Sequence, residues 1–127
     1  MRSSPLTTLA VTAVLLAGVS GCSQDSDESA PAYNVTAGDD SCELDTTEMP
    51  AGAAKFVIEN TGSDVTEVYV YGEEGGAFTK VIDEVEDITP GSSQNLDVDL
   101  AEGEYQLTCK PGMVGDGIST PFTVTGE

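Results

Sequence analysis

The sequence has no histidine and no tryptophan, and only 4 Lys and Arg among 127 residues. Without imidazole there is no Ser–His or Cys–His nucleophile. A metal site that needs imidazole, including a His-ligated blue-copper centre, is excluded as well. The shortage of positive charge has a second consequence. Against 23 Asp and Glu it leaves a formal charge of −19, which repels nucleic-acid phosphates and anionic headgroups. No nucleic acid is therefore expected as a partner. Such a surface favours solubility and attracts cations loosely. A long hydrophobic run is also missing. The most apolar stretch, Leu9 to Val19, is far short of the roughly 20 residues a membrane-spanning helix needs.

That short run has a different use. Arg2 precedes it, and Val19-Ser20-Gly21-Cys22 follows it. A positive start, an apolar core and small residues at the end make a signal peptide. The last four residues resemble the bacterial lipobox. Small residues let a peptidase reach the backbone, and the Cys22 thiol accepts a diacylglycerol, the route to a palmitate-type anchor. The expectation is a leader over 1–21, cleavage before Cys22, and an extracytoplasmic lipoprotein held to the bacterial cell membrane by that lipid. Residues 22–32 are acidic and carry no large apolar side chain, so they are expected to be a disordered tether. Its ten residues from Ser23 to Ala32 reach roughly 30 Å at full extension.

The domain is expected over 33–127. No helical period occurs there. Leu96-Asp97-Val98-Asp99-Leu100 alternates apolar and acidic residues, Phe56 and Ile58 share a face, and so do Val68 and Val70. Tyr105, Leu107 and Cys109 form another such row, and Phe122 and Val124 a further one. With Tyr33 to Ala37, Cys42 to Thr46 and Phe78 to Ile82, the pattern predicts about eight strands in an all-β sandwich or barrel. Turn chemistry separates them at Pro50-Ala51-Gly52, Asn60-Thr61-Gly62, Gly75-Gly76, Pro90-Gly91, Glu102-Gly103 and Pro111-Gly112.

Two cysteines remain beside Cys22. In an exported chain Cys42 and Cys109 suggest a disulfide. The other reading makes both of them metal ligands, and both readings stay open on the sequence. The acidic run Asp83-Glu84-Val85-Glu86-Asp87 lacks the spaced Asp/Asn and Gly pattern of a calcium loop and reads as a solvated loop. No pair of carboxylates is marked out for catalysis, so an enzyme is not expected.

Several stretches, taken in order, carry a resemblance. They are Asp39-Asp40-Ser41-Cys42-Glu43-Leu44, Pro50-Ala51-Gly52, Glu59-Asn60-Thr61-Gly62, Thr66-Glu67-Val68-Tyr69-Val70-Tyr71-Gly72, Ile88-Thr89-Pro90-Gly91 and Gly103 to Met113. Together they resemble the cupredoxin-like domain of EfeO-type iron-uptake proteins. The resemblance implies a Greek-key sandwich related to the blue-copper fold, with a metal held between loops at one end. It implies a ligand after the Asn-x-Gly turn, where this chain offers Glu67, and others from the loop that begins at Cys109. It therefore places metal on Cys42, Glu67 and Cys109. Met113 joins them from its place in that loop and from the affinity of a thioether for Cu(I). Copper or iron is the metal expected, and an iron- or copper-uptake complex the partner. The competing expectation is an interaction module, stapled by a Cys42–Cys109 disulfide and binding no metal.

Overall fold

A computed structural model describes residues 30–126. The leader, Cys22 and most of the tether lie outside the described residues. Among the described residues nine strands follow one another with no helix between them. These are β1 (Ala32–Ala37), β2 (Cys42–Leu44), β3 (Glu48–Pro50), β4 (Gly52–Asn60), β5 (Thr66–Glu74), β6 (Ala77–Ile88), β7 (Ser93–Leu100), β8 (Gly103–Pro111) and β9 (Ile118–Thr125). They form two sheets, one in the order β2-β1-β4-β7 and the other in the order β3-β9-β8-β5-β6. β1 lies parallel to β4 and β3 parallel to β9, while the other pairs are antiparallel. Sheet edges crossed by long connections give a Greek-key sandwich. The all-β architecture expected from the alternating runs is the one observed.

The inward rows meet between the sheets. Val35, Phe56, Ile58 and Leu100 from one sheet face Val68, Val70, Leu107, Phe122 and Val124 from the other, all essentially without solvent contact. Phe56 meets Phe122 edge-on at 5.8 Å between ring centres, and Tyr105 stacks on Phe122 at 5.5 Å. The Tyr105 hydroxyl donates to the Ala101 carbonyl at 2.7 Å. A ring buried among apolar groups thus keeps its polar end bonded, and it pins the β7–β8 corner.

Two elements differ from the pattern read in the sequence. β3 is hidden because it is only three residues long: its alternation, with Met49 alone buried, is too short to stand out, and its partner β9 lies more than seventy positions away. Pro50 fits there because β3 is a sheet edge, where a missing N–H costs no ladder bond. The acidic run is not a loop. Asp83 to Asp87 continues β6 to Ile88, paired with β5. Acidic residues are poor strand formers, but Val85 packs on the core, Ile88 is buried within it and the β5 ladder holds the backbone. The register slips where Glu67 alone faces Glu86 and Asp87, and Asp87 takes a positive φ of 58° to absorb the extra residue. Gly75 and Gly76, at φ 62° and 85°, make the tight β5–β6 turn that needs two left-handed residues.

Candidate functional site

Four loops gather at one end of the sandwich, and the sequence explains how each is held. Asn60 ends β4 and is buried. Its Nδ2 donates to the carbonyls of Ile88 and Asp64, both at 2.8 Å, and its Oδ1 accepts from the Gly62 N–H at 2.9 Å. The Asn-x-Gly turn is therefore a knot that binds the β4–β5 loop to the end of β6. Asp39, in the β1–β2 loop, accepts from the Ser63 N–H at 2.8 Å. The Gly112 N–H donates to the Val65 carbonyl at 2.8 Å and so ties in the β8–β9 loop. In that loop Gly117 stands at φ 74°, where any Cβ would meet the Cys109 carbonyl at 2.6 Å.

Within this frame Cys42 and Cys109 are joined by a disulfide, with their Cα atoms 5.6 Å apart. Cys42 begins β2 at the edge of one sheet, and Cys109 sits in β8 inside the other. The bond therefore crosses the sandwich. Cys109 pairs in register with Val68 and points inward as Val68 does. Met113 lies four residues farther on, half-buried, at φ 58°, with its N–H donating to the Lys110 carbonyl at 2.9 Å.

Glu67 lies elsewhere. It alternates with Val68, so its side chain leaves the opposite face of β5, beside Tyr69. The residue that faces inward at the start of β5 is the buried Thr66, whose hydroxyl donates to the Glu67 carbonyl at 3.5 Å. The alternation of Thr66, Val68 and Val70 carries that information, whereas the resemblance, through the position after the Asn-x-Gly turn, implies a ligand at Glu67. Glu67 is nonetheless 94% buried, because it is crowded rather than solvated. The rings of Tyr69 and Tyr71 stack at 5.4 Å, and the Lys110 Nζ lies 4.3 Å from the centre of the Tyr69 ring. Partial burial, hydrogen bonding to Glu84 and the charges of Glu67 and Glu84 hold the Tyr69 phenol above the usual tyrosine range.

The outer face thus carries Glu67, Glu84 and Glu86 around one tyrosine, while the sulfurs lie inside. Among the described residues no group of three or more Cys, Asp and Glu converges on a point suited to a metal ion. Glu86 is held above the ordinary carboxylate range, first by the charge of Glu84, then by desolvation and the charges of Glu67 and Asp87. A carboxyl whose pKa is raised by folding binds its proton more readily when folded, so its contribution to stability grows as pH falls through the raised pKa. Glu86→Gln is therefore expected to raise the urea midpoint at pH 7 and to leave it almost unchanged near pH 4. Equal midpoint shifts at the two pH values would count against the repulsion.

Comparison with known proteins agrees with this architecture. The family model described as the cupredoxin-like domain matches residues 8–124. The iron uptake system component EfeO of Escherichia coli strain K12 is 35% identical over 79 residues, which take in 62% of this chain and 20% of that protein. EfeO of Shigella flexneri matches to the same extent. The chain thus spans only about a fifth of the length of these curated relatives. Among solved structures, the dithionite-reduced auracyanin of Roseiflexus castenholzii aligns with a TM-score of 0.55 at 17% identity, over 76% of this chain and 98% of that one. Auracyanin A of Chloroflexus aurantiacus, a "blue" copper protein, aligns with a TM-score of 0.50 at 14% identity, over 74% and 99%. At these identities the likeness is one of fold.

Proposed function

Because this chain belongs to the family of cupredoxin-like domains, we propose that it captures or relays copper or iron at the outside of a bacterial cell membrane, anchored through lipid on Cys22, within an EfeO-type uptake system. One observation carries the metal reading: the sulfurs of Cys42 and Cys109 meet at the end of the sandwich where the loops gather. The metal is cargo, and the donors fit it in a specific state. As a disulfide the two sulfurs are poor ligands, because the ligating form of cysteine is the thiolate. Reduced, they become two soft donors held by opposite sheets, with the Met113 thioether in the neighbouring loop. Such a set suits Cu(I). Glu67 faces the other side of β5 and belongs to the carboxylate group with Glu84 and Glu86. That group offers hard oxygen donors of the kind Fe(III) prefers, but it is separate from the sulfurs.

The test is a Cu(I) titration of the purified protein in competition with a chromophoric chelator. Reduced protein is expected to take up one equivalent and oxidised protein none. Cys109→Ser should abolish that uptake, Met113→Leu should weaken it about tenfold, and Glu67→Gln should leave it unchanged. Reduced protein that failed to compete for Cu(I) would end the sulfur proposal.

The second reading, a stapled sandwich that binds a partner protein through its loops, is favoured by the closed disulfide. Loss of stoichiometric Cu(I) binding in Cys109→Ser, with the fold kept, would exclude it.

A further inference from the structure

The two sulfurs of the disulfide are not equally placed. Cys109 has no solvent contact and lies in β8, with β5 paired on one side and β9 on the other. Cys42 opens a three-residue strand that has β1 on one side and a free edge on the other. A groove of about 480 Å³ runs along that edge, lined by Asn34, Thr36, Cys42, Glu43, Leu44 and Asp45, with Thr120 of the opposite sheet as its far wall. Cys42, although only 4% exposed, lines it; Cys109, with no exposure, does not. The Thr120 hydroxyl donates to the Cys42 carbonyl, tying β2 to the second sheet beside the disulfide.

Thiol–disulfide exchange requires a thiolate to approach one sulfur roughly in line with the bond that breaks, so access decides which sulfur is attacked. From these positions we infer that the groove is an exchange site for a dithiol reductant and that Cys42 is the sulfur it enters on. The incoming thiolate bonds to Cys42 Sγ. The bond between the two Sγ atoms breaks, and its electron pair leaves on Cys109, which takes up a proton from solvent. The second thiol of the reductant then attacks its own sulfur in the mixed disulfide and releases Cys42 as a thiolate. The reductant leaves as a disulfide, two electrons poorer, and the protein holds two thiols. Glu43 and Asp45 at the groove repel an anionic thiolate. The preferred partner is therefore an oxidoreductase that presents its reactive cysteine from a neutral or basic surface.

The exchange supplies the dithiol that the metal reading needs, and in that sense it deepens that reading. It is tested without metal, so either can fail alone. Oxidised protein is exposed to excess glutathione under native conditions, quenched at short times with iodoacetamide in denaturing urea, which opens Cys109 to the label, and mapped by mass spectrometry. Glutathione is expected on Cys42 and carbamidomethyl on Cys109, in a ratio of about ten to one or more, with a rate that rises linearly with glutathione. Glu43→Gln should speed reduction by glutathione several-fold and reduction by uncharged dithiothreitol far less. As a check independent of trapping, the lone Cys42 thiol of Cys109→Ala should react with a disulfide reagent much faster than the lone Cys109 thiol of Cys42→Ala. Glutathione on Cys109, equal labelling of both sulfurs, or a rate independent of thiol concentration would overturn the inference. The last of these would mean that only global unfolding exposes the bond.

Discussion

Replacing Cys42 and Cys109 together by alanine is expected to lower the stability of the protein by about 4 kcal/mol, which for a domain of this size moves Tm down by roughly 20 °C. The bond closes a loop across a sequence separation of 67. In the chain-entropy model a closure of that length removes a large set of unfolded conformations, and their return favours the unfolded state when the bond is gone. The folded state also loses its hold on β2, which has β1 on one side only. The measurement is a urea or thermal unfolding curve of oxidised protein against the double variant, with reduced wild type as a third sample. The two bond-free forms should unfold close together and well below the oxidised one. A difference under about 1 kcal/mol would mean that the sheets need no crosslink and that the unfolded chain is already compact.

The second large effect is expected at Asn60. Its side chain makes three hydrogen bonds from a site with almost no solvent contact, two donated to backbone carbonyls and one accepted from a backbone N–H. Asn60→Ala removes all three and leaves the buried Ile88 carbonyl without that donor. Each neutral bond is worth about 1 kcal/mol net, and an orphaned buried group costs about 1–3 kcal/mol, so the loss should reach roughly 3 kcal/mol. Asn60→Asp separates donation from acceptance. It keeps the acceptor for Gly62 but turns both donations into contacts between a carboxylate and carbonyl oxygens. It should therefore be at least as harmful as alanine at pH 7 and should recover in part when acidified, as the carboxyl regains a proton to donate. Amide exchange at Gly62, Gly91 and Gly112 should accelerate in both variants. These amides are bonded in the same knot of loops, and the Gly91 N–H donates to the Asn60 carbonyl. Alanine tolerated with a loss below 1 kcal/mol would show that water replaces the knot.

What could be read from the sequence follows from where the physics is local. β7 shows itself in Leu96, Val98 and Leu100 because one face is core and the other water, and each residue reports its own side. β8 and β5 do the same. The Asn-x-Gly turn was marked by residue type, and the structure shows the hydrogen bonds behind that choice. The meeting of the two cysteines is common to both readings of them, disulfide and metal ligands, and the sequence leaves the choice between the two open, since composition states only that two thiols exist. The misread portions depend on partners far along the chain. β3 owes its form to β9, and the acidic half of β6 owes its form to β5. Glu67 shows a related conflict. The resemblance places it with the sulfurs, while the two-residue period of the strand sends its side chain to the other side of the sheet.

β6 is the outer strand of its sheet, twelve residues long, with one row of backbone N–H and C=O groups facing away from β5. A straight apolar ribbon of that length would be a template on which further molecules could add, fibril-fashion. Here three register shifts bend the ribbon, and Asp83, Glu84, Glu86 and Asp87 charge it. An incoming identical strand would bring four more negative charges into contact with those four, on a backbone too crooked to match. The same acids that resemble a diffuse cation trap thus act as mutual repellent between copies, and they hold dense populations of this molecule apart.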